Sequence, residues 1–352
     1  MMATPSMTSL QRVLTTLGHK EPDRVPFFLL LTMHGARELG VSIQEYFSNA
    51  ESVALGQLLM RKKYRHDCLY SFFYAAVEFE AWGGNVIYVD DGPPNAGAPF
   101  IRKPDDITRL TLPRVKDIPC LIKVLKATQM IKEDIGEEAP IIGVVMSPFS
   151  LPVMQMGFSS YIDLIYEQPQ LFEQLMKINQ EFCVEWANAQ LGAGATAICY
   201  FDPVSSPTIV PRELYLKTGF AIAKSTLSRI KGPTATHMAS GRCLPIAEDL
   251  ALTGTAAIGV SELEDLEDIK NKYRGKLAVI GNLNGIEMAR WDTGQAVSAV
   301  KQAITKAGPG GGFILSDNHG EIPWQVHEDV LMALSEAVET YGRYPIVPGE
   351  MA

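Results

Sequence analysis

Short runs of Val, Ile, Leu and Phe recur along this chain, separated by longer stretches in which apolar residues return every three or four positions. Eight such runs stand out: Val25–Leu31, Cys68–Phe73, Pro140–Met146, Ala195–Phe201, Pro233–Ala239, Ala256–Ser261, Lys276–Asn282 and Gly311–Asp317. Near-continuous apolar runs without alternation are the mark of strands buried on both faces, the situation in a parallel sheet covered by helices. Eight strands with helices between them predict an α/β fold, a single (β/α)8 TIM barrel, and residues 1–352 read as one domain.

The intervening stretches support that count. "LPIAEDLALTG" (Leu244 to Gly254) has a proline near its start and a glycine at its end, the punctuation of a helix. "DTGQAVSAVKQAITKAG" (Asp292 to Gly308) repeats small and apolar residues at helical spacing. The stretch before the first run predicts an N-terminal helical extension. The segment near residues 82–115 is rich in proline and acid and is expected to be an inserted cap over one barrel end. The Gly308–Gly312 segment "GPGGG" precedes a strand and has no GK[ST] after it, so it reads as a tight turn and not a phosphate loop.

Composition narrows the function classes. A net charge of -9 argues against a nucleic-acid partner, which needs a basic stripe, and the short "RKKYR" (Arg61 to Arg65) reads as a solvated helix face. No run of 18 or more apolar residues occurs, and the amino terminus lacks the basic-then-apolar order of a signal peptide, so a cytoplasmic protein without a membrane anchor is expected. Five scattered cysteines with no CxxC pair suggest reduced, buried thiols. No Gly-x-Ser-x-Gly elbow is present.

A residue just past the carboxyl end of a barrel strand faces the mouth where barrel enzymes do chemistry. Sorted this way, the mouth collects Asp202, His237, Glu262, Asn282, Asn284, Asp317, Asn318 and His319, with His34 after the first strand as a further candidate. His237, Glu262 and His319 could supply the three ligands of a catalytic zinc, which leaves a fourth position open. Asp202 could orient a ligand or substrate, though an Asx turn before Pro203 would explain it equally.

These residues are carried by segments that resemble a known family. "LQRVLTTLGHKEPDRVPFF", "LGAGATAICYFDPVSSPTIVPREL", "VIGNLNG" and "NHGEIPW" look like the uroporphyrinogen decarboxylase superfamily over nearly the whole chain. The resemblance implies a single barrel with a funnel-shaped mouth and one of two chemistries, porphyrinogen decarboxylation or zinc-assisted methyl transfer involving a corrinoid. The decarboxylases carry an arginine-rich segment after the first strand, an aspartate after the second and a tyrosine after the third. The matching stretches here, "LLLTMHGARELG", "YSFFYAAVEFEAWGG" and "SLPVMQMG", lack them, with Tyr74 near the aspartate position and Arg37 the one arginine left in the first loop.

The methyltransferase branch implies a His-x-Cys after strand five and a cysteine after strand eight. Here His237 matches the histidine, Ala239 stands at the first cysteine and His319 at the second, while Cys243 lies beyond the expected position. A His237, Glu262, His319 set would leave zinc a stronger Lewis acid than thiolates do, suited to an oxygen-bearing donor. The implied activity is methyl transfer between a small methylated donor, methanol-like or methoxylated, and the corrinoid of a partner protein, in either direction. Its expected catalytic residues are His237, His319 and Asp202; Tyr74, Tyr200 and Trp324 are expected to wall the donor pocket, and Asn318 to bind and orient the substrate. A homodimer is compatible with this reading. A decarboxylase-like lyase using His319 as acid, or a tetrapyrrole- or corrinoid-binding protein, are the alternatives.

Overall fold

The computed structural model describes residues 7–318 and 320–347. Its strands are β1 (Leu69–Tyr70), β2 (Val86–Val89), β3 (Gly92–Ala96), β4 (Ile141–Met146), β5 (Ala197–Phe201), β6 (Thr234–His237), β7 (Ala257–Gly259), β8 (Ala278–Leu283) and β9 (Phe313–Asp317). Seven of them form one parallel sheet in the order β1-β4-β5-β6-β7-β8-β9. Each falls within or across one of the apolar runs, and helices such as Ala50–Tyr64, Pro119–Ile135, Pro169–Gly192 and Thr293–Ala307 cover the outside. The Asp292 side chain accepts from the Gln295 N–H while Gln295 reaches back to the Asp292 backbone, a capping box that starts the last of these.

The eighth run, Val25–Leu31, is not a ladder strand, yet it closes the barrel. It makes a single parallel bridge, Phe27 to Leu315. The Phe28 N–H donates to the Leu315 carbonyl at 2.8 Å, the Leu315 N–H donates to Pro26 at 2.9 Å, and on the other side the Asp67 N–H donates to Phe27 at 2.7 Å. Pro26 has no N–H to give, and the Phe27 N–H donates to the Asp67 carboxylate at 2.8 Å instead of to a strand. Side chains thus complete what a backbone ladder does elsewhere around the ring.

The N-terminal helix Ser9–Leu17 plugs the floor, with Val13 and Leu17 packed against the interior residues Phe28, Tyr70 and Ile314. Its Arg12 donates to Asp67 at 2.6 Å and to Asp23 at 2.6 Å, and Arg24 donates to Asp67 at 2.6 Å. At 0% exposure, Asp67 ties helix, closing segment and β1 together. The expected inserted cap is the antiparallel β2–β3 hairpin followed by 3-10 turns at Pro104–Arg109 and Val115–Asp117. The "GPGGG" segment is a turn: Gly310, Gly311 and Gly312 all have positive φ, and the Glu21 carboxylate accepts the Gly310 N–H. Among the described residues no helix is long and apolar enough to cross a membrane.

Candidate functional site

Inside the barrel, towards the carboxyl ends of the strands, lies a cavity of about 370 Å³. Strand alternation decides what lines it. On β5, Cys199 and Phe201 face it, while Tyr200 turns outward at 0% exposure to pack with Phe182 and Trp186 of the covering helix. On β4 the inward residues are Ile142, Val144 and Met146, and Phe28, Leu30, Tyr70 and Phe72 close the other side. The hairpin tip residues Pro93, Pro94 and Asn95 form part of the wall, so the cap reaches the site.

The polar groups on this mostly apolar wall are few. His237 ends β6 with its ring stacked on Phe201, and its Nδ1 accepts the Ala239 N–H at 3.0 Å. Ala239 takes a left-handed φ of 50° to make that contact. Opposite the ring stands Gly259 of β7, where a Cβ would come within 2.3 Å of the imidazole. Asp317 ends β9 and accepts from the Leu30 N–H at 3.4 Å; burial pushes its carboxyl up to about 7, against the pull of that contact. Glu321 contributes both side-chain oxygens, buried and without hydrogen-bond partners; burial pushes it up to about 8, and the nearby Thr32 hydroxyl only moderates the shift. The Thr236 hydroxyl on the same wall is also buried and unpartnered. Among the described residues, no arginine or lysine lines the cavity.

The sequence-predicted site residues divide. His237 is on the cavity wall as expected. His319 lies outside the described residues. Asn318 is just past β9 and fully buried, off the wall. Glu262 lines a separate depression of about 360 Å³ with Asn282, Asn284, Trp291 and Lys306. Asp202 is not on the cavity: its carboxylate accepts from Ser147 at 2.5 Å and Ser150 at 2.8 Å, and its N–H donates to the His237 carbonyl at 2.7 Å. It clasps the turns after β4 and β5 to β6, and the expected contact with a ligand gives way to the serine hydroxyls that reach it first.

The expected aromatic wall is also corrected. Tyr74 is fully buried outside the cavity and donates to Glu80 at 2.5 Å, with its ring edge-on to Phe47. Tyr200 faces the helices, as described. Trp324 packs under the Arg37 guanidinium, 3.9 Å from the ring centre, and beside His34, which is buried off the cavity. The walls belong to Phe28, Tyr70, Phe72 and Phe201 instead. Cys243 is buried against Glu264, whose carboxylate accepts the Cys243 and Leu244 N–H groups, so its thiol serves that turn. The sequence reading missed Glu321, although it stands inside the quoted "NHGEIPW", directly before the apolar Ile322.

For a metal, the donor types and their placement fit in part. His237 and Glu262 leave the ends of neighbouring strands, and glycine at 259 keeps space beside the imidazole. Among the described residues no three His, Cys, Asp or Glu side chains converge, and the third expected donor is His319. In this arrangement the Nδ1 lone pair is engaged by Ala239, so a metal bound through Nε2 would require that contact to be given up.

Comparison with known proteins adds the following. A profile of the family uroporphyrinogen decarboxylase (URO-D) matches residues 8–341. A uroporphyrinogen decarboxylase from Xylella fastidiosa is 26% identical over 362 residues, covering 96% of this chain and 100% of that protein. The methylcobamide:CoM methyltransferase MtaA of Methanosarcina barkeri is 26% identical over 162 residues, 46% of this chain and 48% of that protein. Among solved structures, a methyltransferase from Methanosarcina mazei matches with a TM-score of 0.85 over 96% of this chain and 99% of its own, at 22% identity, which is a likeness of fold.

Proposed function

Because the chain belongs to the uroporphyrinogen decarboxylase (URO-D) family, we propose, between the two chemistries of its relatives, that it is a methyltransferase. In this reading it moves a methyl group between a small methanol-like or methoxylated donor and the corrinoid of a partner protein. The observation that carries the reading is the cavity wall, aromatic and aliphatic with two carboxyl groups and no cation among the described residues. A substrate rich in carboxylates needs arginines or lysines to hold it, and the buried carboxyl groups of Asp317 and Glu321 offer it no positive charge. Arg37, the one arginine of the first loop, is committed elsewhere, with Trp324 under it and the Val326 carbonyl accepting at 3.2 Å. A small neutral donor suits the same wall.

The chain's own residues then act as follows. The rings of Phe28, Tyr70, Phe72 and Phe201 hold the donor and exclude water, and the hairpin tip closes one side. His237, fixed by Phe201 and Ala239, presents its imidazole to the donor's oxygen end. Zinc held by His237, Glu262 and His319 would supply Lewis acidity at that oxygen once His237 gives up its Ala239 contact and Glu262 turns in from its separate depression. A reduced corrinoid on the partner would supply the electron pair for the new bond to the methyl carbon. The carbon–oxygen bond would break with its pair on the donor oxygen, which takes up a proton from solvent before the demethylated alcohol leaves the cavity.

The test is direct. Purified protein is incubated with free cob(I)alamin and a methoxylated donor, and methylcobalamin is read by absorbance; a parallel sample receives uroporphyrinogen. Methylcobalamin formation without porphyrinogen decarboxylation is the expected result. Decarboxylation without methyl transfer would overturn the reading.

A further inference from the structure

The fold leaves two polar groups on the cavity wall without partners: both carboxyl oxygens of Glu321 and the hydroxyl of Thr236. Buried polar groups in folded proteins are nearly always paired, and unpaired ones that line a cavity are the groups a ligand would complete. Their chemistry therefore describes part of the ligand. A carboxyl with open oxygens calls for a hydroxyl or N–H on the molecule that fills the space.

The rest of the wall limits what that molecule is. At about 370 Å³ the cavity lies in the range of sites for ring-sized ligands, roughly 300–1,000 Å³, and methanol would leave most of it to water. Phe28, Tyr70, Phe72 and Phe201 offer ring faces and edges to a flat apolar body. With no arginine or lysine on the wall among the described residues, and with Asp317 beside Glu321, a ring bearing a carboxylate would bury its charge uncompensated.

We infer that the methyl donor is an uncharged aryl methyl ether carrying a free hydroxyl, and that Glu321 selects it by accepting a hydrogen bond from that hydroxyl. This rests on the methyl-transfer reading of the same cavity, and it replaces the open choice between methanol-like and methoxylated donors with one class. Glu321 is the specificity-determining residue of the wall, and the aromatic rings provide affinity that is indifferent to the hydroxyl. A donor without the hydroxyl leaves Glu321 unpaired and binds more weakly, because a site built around a buried polar group rejects the analogue that cannot satisfy it.

Binding of three probes to the full chain, measured by titration calorimetry without any corrinoid, tests this separately from the reaction. The probes are 2-methoxyphenol, methoxybenzene and 4-hydroxy-3-methoxybenzoate. In the unaltered protein 2-methoxyphenol should bind about tenfold or more tighter than methoxybenzene, and the carboxylated ring more weakly than 2-methoxyphenol. Glu321→Ala should bring the first two to near-equal affinity, and Glu321→Gln, which keeps volume and an acceptor, should retain part of the preference. Should Glu321→Ala fail to fold, reduced preference in a folded Glu321→Gln still supports the inference. Equal affinities in the unaltered protein, a preference unchanged in both variants, or tightest binding of the carboxylated ring would overturn it. Selective binding of 2-methoxyphenol without methylcobalamin formation would leave the recognition standing and remove only the reaction.

Discussion

The Phe201 ring lies stacked on the His237 imidazole, with centroids 5.3 Å apart and planes 20° from parallel. Gly259 faces the other partner of this pair: a Cβ there would stand 2.3 Å from the His237 ring. Gly259→Ala should therefore displace the imidazole and lower methyl transfer nearly as far as His237→Ala does. Overpacking should cost it about 1–3 kcal/mol of stability, which the histidine variant is spared. Turnover and urea unfolding of both variants decide this, and full activity in Gly259→Ala would detach the imidazole's position from the reaction.

Asp67 receives Arg12, Arg24, the Ser9 hydroxyl and the Phe27 N–H at the barrel floor. Asp67→Ala takes a shared carboxylate from two buried guanidinium groups, leaving Arg12 with Asp23 and Arg24 with Glu339, a loss on the order of 3 kcal/mol. Chemical unfolding should show it. A loss below about 1 kcal/mol would mean the closing segment is held by other contacts.

Glu78 is buried, accepts the Met146 N–H at 2.7 Å through one oxygen and has the other unpartnered. Burial raises its carboxyl from 4.5 to about 8, so the folded state keeps a proton that the unfolded chain has released. Its contribution to stability is full below the unfolded value, declines as pH rises towards the folded value, and levels off above it. The slope is at most about 1.4 kcal/mol per pH unit. Denaturant midpoints between pH 5 and about 9 should fall in the unaltered protein and stay flatter in Glu78→Gln. Parallel curves for the two would remove Glu78 as the cause.

Asp202 holds Ser147 and Ser150 away from the cavity. Asp202→Ala should cost about 2–3 kcal/mol of stability while the folded fraction keeps its KM for the donor. A large rise in KM at unchanged stability would restore the ligand-binding role expected from its place after β5.

Protein purified without chelator should carry about one zinc per chain by elemental analysis, and His237→Ala should lose it. Removing the metal should lower the melting temperature and turnover together, with both recovered on adding zinc back. Metal-free protein with unchanged activity would strike zinc from the mechanism.

The barrel was legible because strands covered on both faces need apolar residues throughout, and each of the seven sheet strands coincides with such a run. The same property hid the phase of each strand. With no polar residue to mark an outward face, Tyr200 and Phe201 read alike, and the choice between them fell one position out of register. Val25–Leu31 reads as a strand like the others, since its missing ladder follows from Pro26 and from a carboxylate 40 residues on in the sequence. Position at a strand end led to His237 and Asp317, which line the cavity, and to Asp202, which does not, because the sequence order does not reveal that two serines from the neighbouring turn take its lone pairs. Glu321 escaped notice because its importance comes from what it lacks, a partner, which only packing can show.

The closing segment between β9 and β1 carries a consequence for how such a chain becomes a cylinder. Six neighbouring strand pairs are zipped by repeated backbone contacts, whereas the final join adds to three backbone hydrogen bonds one carboxylate that meets two arginines, a serine and an amide. Circularity here is written in side chains. Apolar residues can exchange for one another along most of the wall, but at Asp67 a change of one side chain loosens the floor helix, the closing segment and β1 together.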